Sequence, residues 1–253
     1  MKYRASLWIA VVLLGCAPKE RPIRVAIDET HDNKHTVHGS YAPLAELIDG
    51  PDRRIMRFDG PFDSTDLGRF DALVVAGVPA EVTFTSEEIE ALANWVDGGG
   101  SLLLVADHWP YVTAIADLAA PYGFAVLNMT TYDAADALTF GFTELGTHEI
   151  TAGLDAVWVF AGAPIELPAE ATSLLPCDGK YAVDERGFGR LELDGFSMGA
   201  VRDYGSGRVA MLGEAGMISC QDDEDSGEPY GFCAAGAEDN EAFTVNLFDW
   251  LLH

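Results

Sequence analysis

The sequence has little positive charge. Its 253 residues include 15 lysines and arginines against 41 aspartates and glutamates, which gives a formal net charge of −26. Such a chain repels the phosphate backbone of nucleic acids and the head groups of anionic lipids, so we expect no nucleic-acid partner. The sequence also has no dinucleotide-binding glycine motif, no Walker loop and no HExxH motif, so it carries none of the signatures of the enzyme families that these motifs mark.

Hydrophobic runs long enough to span a bilayer are also missing. The first apolar run, residues 5–15, follows Lys2 and Arg4 and has the length of a signal peptide. It ends in Leu-Leu-Gly-Cys at 13–16, which resembles the lipobox of bacterial lipoproteins. The resemblance implies a signal peptide at 1–15, a lipid on Cys16 that anchors the chain in a membrane, and a lipidated tether at 16–22. The alternative is an ordinary signal peptide with a chance cysteine.

The lipobox resemblance also implies a location. Lipoproteins with such a signal lie in the bacterial cell envelope, and Ala17 rather than aspartate after the cysteine favours the outer membrane over the inner one. The remaining chain, 23–253, is long enough for one large domain with its own core.

Within 23–253, strand-like and helix-like segments alternate. Segments that read as buried parallel strands are 23–27, 53–58, 71–77, 101–106 and 207–213. Segments that read as helices are 41–50, 85–100, 111–123 and 240–253; Thr85 and Glu88 have the spacing of a capping box. The pattern predicts an α/β fold with a mostly parallel sheet and helices on both faces. The middle of the chain is less regular, and 156–162 and 196–201 suggest an antiparallel extension.

Polar or ionisable side chains follow three of these strands, where the carboxyl ends of parallel strands meet and ligands bind in such sheets. They are Asp28, Glu29, His31 and His35 after the first, Asp107 and His108 after 101–106, and Glu214 after 207–213. Half of the six histidines, at 31, 35 and 38, lie in one loop. We expect a ligand site at this rim, with the histidine loop as one wall. The alternative is that these side chains only cap helices and bond turn amides.

Only four cysteines are present. With Cys16 assigned to lipid, Cys220 and Cys233 bracket an acidic loop, and an oxidising periplasm would allow them to form a disulfide. Cys177 then has no predicted partner.

Several segments, in order, resemble the class I glutamine amidotransferase-like superfamily, and most closely its DUF4350 and GIFT-type domains of bacterial surface proteins. They are AIDETHDNKHTVHGSYAPLAELIDG, FTSEEIEALANWVDGGGSLLLVADH, HEITAGL, YGSGRVAMLGEAGMIS and NEAFTVNLFDWLL. The resemblance covers most of 23–253 and implies a flavodoxin-like sheet. It does not imply glutaminase activity, because the turn that carries the nucleophilic cysteine in true amidotransferases corresponds to VADHW, with Asp107 and His108 instead. His148 matches a structural idiom of the superfamily and is interpreted as a turn residue.

The sequence leaves three functions open. The first is a lipoprotein that binds a small polar or carbohydrate ligand, or an envelope partner protein, at the rim without catalysis. The second is a metal-dependent or carboxylate- and histidine-based hydrolase, in which His31, His35 and His108 bind a divalent metal as neutral imidazoles. The third is a structural envelope protein with an inert rim.

Overall fold

A computed structural model describes residues 21–187, 189–222 and 227–253. The predicted signal peptide, Cys16 and most of the tether lie outside these residues. In the described part of the chain, no helix is long and apolar enough to cross a membrane.

A seven-stranded sheet forms the centre of the domain. Its strands are β1 (Ile23–Asp28), β2 (Arg53–Phe58), β3 (Ala72–Ala76), β4 (Ser101–Val105), β10 (Thr172–Ser173), β13 (Gly199–Tyr204) and β14 (Gly207–Leu212). They lie in the order β10-β13-β14-β4-β3-β1-β2. The five strands from β14 to β2 are parallel, while β13 and β10 are antiparallel additions at one edge. Read along the chain, the parallel part has the 2-1-3-4-5 order of flavodoxin-like folds. The predicted fold class and its antiparallel extension are confirmed.

Four α-helices cover the two faces of this sheet. They are α1 (Ala42–Ile48), α2 (Ser86–Asp97), α3 (Thr113–Ala119) and α4 (Glu238–Leu251). Alternation along each strand sends side chains to opposite faces: Val25 and Ile27 pack in the core under α1 and α4, while Ala26 packs in the core under α2 and α3. The predicted capping box of α2 is present, with Thr85 and Glu88 each bonding the backbone N–H of the other.

Shorter strands build the region around the sheet. They are β5 (Ala125–Val126), β6 (Thr130–Tyr132), β7 (Thr139–Phe142), β8 (Val157–Phe160), β9 (Ile165–Glu166), β11 (Tyr181–Asp184), β12 (Gly189–Glu192), β15 (Cys220–Asp222) and β16 (Pro229–Gly231). The segment predicted at 156–162 forms β8, which pairs with β7 and not with the central sheet. Among the described residues, the antiparallel extension is therefore built by β13 and β10.

Candidate ligand-binding site

A cavity of about 950 Å³ opens at the carboxyl ends of β4 and β14. Its ionisable lining residues are His35, Asp107, His108, Tyr111, Glu214, Asp222, Glu228 and Tyr230. Four of the predicted rim residues, His35, Asp107, His108 and Glu214, are thus brought to one space although they follow three different strands. A second cavity of about 640 Å³ lies at the opposite, amino ends of the strands, where Asp71 and Ser101 are among its lining residues.

Glu214 is the most buried ionisable group of the rim cavity, at 3% exposure. Its carboxylate accepts hydrogen bonds from the backbone N–H of Gly216 and from that of Met217, the latter at 2.7 Å. Burial and, to a smaller extent, the nearby negative charge of Asp107 raise its pKa to about 8, against the opposing effect of the amide bonds. Glu214 is therefore mostly protonated near neutral pH and can both donate and accept a proton there.

Asp107 and His108 form a pair on the turn after β4. Nδ1 of His108 lies 2.7 Å from Oδ1 of Asp107, which also accepts the backbone N–H of His108. The hydrogen bond to Asp107 raises the pKa of His108, and the carboxylate charge adds to this against the effect of burial. The side chain of His108 is 39% exposed and that of Asp107 is 26% exposed, so the pair reaches solvent at the cavity.

His35 is placed by the end of β3. The loop after β1 crosses this strand end, where the backbone N–H of Lys34 bonds the carbonyl of Gly77. Gly77 has φ of +62°, and a Cβ there would lie 2.4 Å from Cδ2 of His35, so the close approach requires glycine. His35 stacks on Tyr41 with ring centroids 4.6 Å apart, and its Nδ1 lies 2.7 Å from Oγ of Ser40. Burial lowers the pKa of His35, which favours the neutral imidazole.

His31 lies outside the rim cavity. Its Nδ1 is 2.8 Å from Oδ2 of Asp28, and its Nε2 is 3.0 Å from Oε1 of Glu88, the capping-box residue of α2. Its ring also packs against Phe62 and Phe84, with centroids 4.7 and 4.6 Å away. Both ring nitrogens are thus engaged by carboxylates, and the structure supports a structural network for this part of the histidine loop.

Asp28 and Glu29 also hold the loop in place. Asp28 is fully buried and accepts the backbone N–H of Thr30 at 3.1 Å. Glu29 accepts the backbone N–H of Val37 at 2.8 Å and pairs with Arg57 at 3.2 Å. Neither carboxylate lines the rim cavity.

The predicted metal ligands are not assembled as a set. His35 and His108 line the cavity, but His31 is held in the separate network with Asp28 and Glu88. Within 21–187, 189–222 and 227–253, no three histidine, cysteine, aspartate or glutamate side chains are grouped so that they could hold a metal ion.

Aromatic side chains that the sequence analysis did not select form much of the cavity wall. Trp158 and Phe160 come from β8, while Tyr230 comes from β16 and Tyr111 from the segment after β4. In β8 the alternating Val157 and Val159 are fully buried, so the period-two pattern sends Trp158 and Phe160 to the other side of the strand. This alternation is the sequence signal that could have identified Trp158 and Phe160 as residues of the cavity wall.

The cysteines contribute structure at this site. Cys220 and Cys233 form a disulfide that ties together the β15–β16 hairpin, which carries Tyr230 to the cavity. Cys177 is buried in the core, where burial raises its pKa to about 12. None of these three cysteines lines the rim cavity.

Two further sequence features are structural in this fold. The pentapeptide at 195–199, Gly-Phe-Ser-Met-Gly, has the spacing of a nucleophile elbow, but Ser197 is fully buried and its hydroxyl bonds backbone carbonyls. His148 lies in a bend, as predicted, and accepts the backbone N–H of Ile150 at 3.3 Å.

Comparisons with known proteins show the fold. No protein-family model matches the sequence, and no curated protein matches it. Among solved structures, the N-terminal domain of mmIFT52 is similar with a TM-score of 0.68 and 18% identity, over 90% of this chain and 97% of that one. A cytoplasmic protein from Salmonella typhimurium LT2 is similar with a TM-score of 0.53 and 11% identity, over 90% of this chain and 98% of that one. A ThuA-like protein from Bacteroides uniformis has a TM-score of 0.48 and 12% identity, over 94% of each chain. At these identities the first two likenesses establish a shared fold across almost the whole chain.

Proposed function

We propose that this protein is an envelope lipoprotein whose α/β domain binds a small polar ligand of carbohydrate type in the rim cavity, without glutaminase activity. The observation that carries the proposal is the convergence of Asp107, His108 and Glu214 on one cavity lined by aromatic rings. Clefts of about 300–1,000 Å³ with a few convergent polar groups are the usual form of small-molecule sites. The position outside the carboxyl ends of parallel strands is where such folds bind ligands.

The chemistry of the wall supports a sugar. Aromatic rings such as Trp158 and Tyr230 offer flat apolar faces, on which the C–H face of a sugar ring can pack, while carboxylates accept its hydroxyl protons. A smaller cavity of about 260 Å³, lined by Trp109 and Tyr132, shares His108 with the rim cavity. The two cavities are therefore neighbours on either side of His108.

The absence of glutaminase activity is proposed from the turn after β4. In a glutaminase a thiolate on that turn would attack the amide carbon. Here Asp107 and His108 occupy the turn, and the three cysteines within the described ranges are buried in the core or joined in a disulfide.

The second candidate is a hydrolase that uses the same cavity. Its support is the upward pKa shift of Glu214 beside Asp107, because a protonated carboxylic acid near an ionised one can divide acid and base roles between them. Hydrolysis of aryl glycosides would then fall at least about 100-fold in Glu214→Gln. Release of aryl alcohol no faster than in buffer alone, across α- and β-linked hexosides, would remove this candidate.

Ligand-induced thermal shifts test the binding function. A panel of neutral oligosaccharides should raise the melting temperature of the wild type for at least one sugar. Ala235→Trp places a bulky ring at an exposed position on the cavity wall and should abolish that shift. Ala152→Trp, at an exposed position outside the cavity, is the matched control and should keep it. A shift that survives in Ala235→Trp would place binding elsewhere and contradict the proposal.

Anchoring through lipid on Cys16 is proposed from the lipobox resemblance alone. Cys16→Ser should accumulate as an unprocessed precursor without lipid in a bacterial host. Normal cleavage and metabolic labelling of that variant with palmitate would refute the lipoprotein assignment.

A further inference from the structure

Acidic side chains outnumber basic ones at the wall of the rim cavity. Asp107, Glu214, Asp222 and Glu228 contribute four carboxyl groups, and no lysine or arginine is among the described residues that line the cavity. Carboxylates in a partly enclosed cleft repel anions and attract cations, because the field of one sign is focused by the low-dielectric walls. A ligand that carries a phosphate, sulfate or carboxylate therefore fits this cavity poorly.

The aromatic wall favours cations as well. The faces of Trp, Tyr and Phe rings carry negative potential and attract ammonium groups. At the cavity wall this contact is already made within the chain, since Nζ of Lys34 lies 3.8 Å from the centre of the Tyr111 ring. Trp158, Phe160 and Tyr230 line the same space and add further faces of this kind.

The polar groups of the wall include an unpaired donor. The side-chain amide Nε2 of Gln221 is buried and has no hydrogen-bond partner among the described residues, while its Oε1 accepts the hydroxyl of Tyr230 at 2.8 Å. A hydroxyl group of a bound molecule could accept from this amide. A simple inorganic cation could not, so this wall indicates an organic ligand with oxygen atoms as well as positive charge.

We propose that the ligand of the rim cavity is a polyhydroxylated organic ammonium compound, of which amino sugars are the representative class. This inference rests on the proposed binding function and narrows its substrate class. The ammonium group would lie between the carboxylates of Asp107 and Glu214 and the aromatic wall. The hydroxyl groups would bond Gln221, His108 and the remaining carboxylates.

Such a ligand has a consequence for the proton on Glu214. The ionisable groups around this carboxyl are Asp107 on the turn after β4, Tyr41 before α1, and Tyr230 on β16. His35 and His108 line the same cavity, and the charge of Lys34 reaches both. A positive charge placed next to Glu214 favours its ionised form, so a proton should leave when the ligand binds. A neutral sugar would leave Glu214 protonated.

Three trisaccharides with one β-1,4-linked glucose skeleton provide the test. They carry an amine, an acetamide or a hydroxyl group at C2, so they differ only in charge and substituent. Isothermal titration at about pH 7 should show the amine form binding at least about tenfold more tightly than the hydroxyl form. Asp107→Asn should reduce that preference several-fold, whereas Glu170→Asn, at an exposed position outside the rim cavity, should leave it unchanged.

Proton release is the second readout. Titrations in two buffers of different ionisation enthalpy give the number of protons exchanged on binding. The wild type should release more protons than Glu214→Gln with the amine form, and the two proteins should match with the hydroxyl form. The sugar amine can take up protons itself, but it does so with both proteins. The difference in proton release between wild type and Glu214→Gln therefore measures the proton lost from Glu214.

The outcomes separate the two levels of the proposal. Equal or weaker binding of the amine form, with clear binding of the neutral forms, overturns the cationic class and leaves the binding function intact. Binding of the amine form without extra proton release in the wild type overturns its placement beside Glu214. If none of the three trisaccharides binds, the amino-sugar class is wrong, and if the panel of neutral oligosaccharides also gives no thermal shift, the carbohydrate-binding function is wrong as well.

Discussion

Nε2 of His31 lies 3.0 Å from Oε1 of Glu88, so a loop residue after β1 is tied to the first turn of α2, 57 positions later in the chain. The other ring nitrogen is held by the fully buried Asp28. Replacing His31 with alanine would leave Asp28 buried without its partner, and we expect a loss of about 3 kcal/mol in the free energy of unfolding. Chemical denaturation of wild type and His31→Ala measures this difference in the free energy of unfolding. His38→Ala, an exposed histidine of the same loop, should change stability by less than about 0.5 kcal/mol.

The stability that this network of His31, Asp28 and Glu88 contributes should depend on pH. Burial alone would lower the pKa of His31, but its bonds to Asp28 and Glu88 outweigh burial and raise it above 6.5. Its contribution is thus complete below about pH 6.5 and is lost as the pH rises through the folded-state value. Burial alone would raise the pKa of Glu88, but hydrogen bonds from Thr85 and His31 lower it below 4.5, so its contribution is lost in acid. The stability difference between wild type and His31→Ala should peak between these limits, and a difference independent of pH would contradict the ion-pair account.

The pKa of Glu214 is shifted in the opposite direction to that of Glu88, so its contribution to stability should depend on pH in the opposite sense. Its pKa is about 8 in the folded protein against a usual value of 4.5, so folding favours the protonated form. Its contribution is complete below about pH 4.5 and is lost progressively as the pH rises to about 8. Glu214→Gln does not titrate and should therefore gain stability relative to wild type across this range. Parallel pH profiles for the two proteins in thermal unfolding would show that folding does not raise the pKa of Glu214 and would contradict this account.

His108 should matter for binding more than for stability. Its side chain is 39% exposed and bonds only its neighbour Asp107 in the described structure, so His108→Ala should cost less than about 1 kcal/mol. The same variant should weaken sugar binding at least tenfold, measured by titration calorimetry. A large stability loss with unchanged affinity would make His108 a structural residue like His31.

The Cys220–Cys233 disulfide closes a short loop, with a sequence separation of 13. In the chain-entropy model, a loop of this length contributes about 3 kcal/mol. The double variant Cys220→Ser, Cys233→Ser should lose about that much and should also bind ligand more weakly, because the hairpin carries Tyr230. Equal melting temperatures of wild type and double variant would argue against this role.

The parallel sheet was predictable because its inner strands β3 and β4 are buried on both faces and read as continuous apolar runs, such as 102–105. Its strand order agrees with the flavodoxin-like sheet that the resemblance implies, and its antiparallel edge includes β13, which overlaps the segment predicted at 196–201. The short strands between 125 and 192 were less accessible to prediction. Their pairings, such as β7 with β8, depend on contacts between segments that carry weak local patterns.

The position of the candidate site was predicted only at the level of strand ends, and the structure brings Asp107, His108 and Glu214 to one cavity. The sequence could not separate His31 from His35, only four positions apart. The separation follows from Asp32, whose φ is +54°, and from Asn33, whose side chain bonds the carbonyl of Ala76. Nothing in the local residue pattern specifies this backbone conformation or this hydrogen bond.

Hydrogen-exchange mass spectrometry with and without the trisaccharide that gives the largest thermal shift tests the central claim most directly. If the ligand binds in the rim cavity, exchange should slow in 107–111, 214–222 and 228–235, and stay unchanged around the opposite cavity at 68–71, 98–101 and 205–208. Slower exchange confined to those last three segments, with none at the rim, would contradict the account.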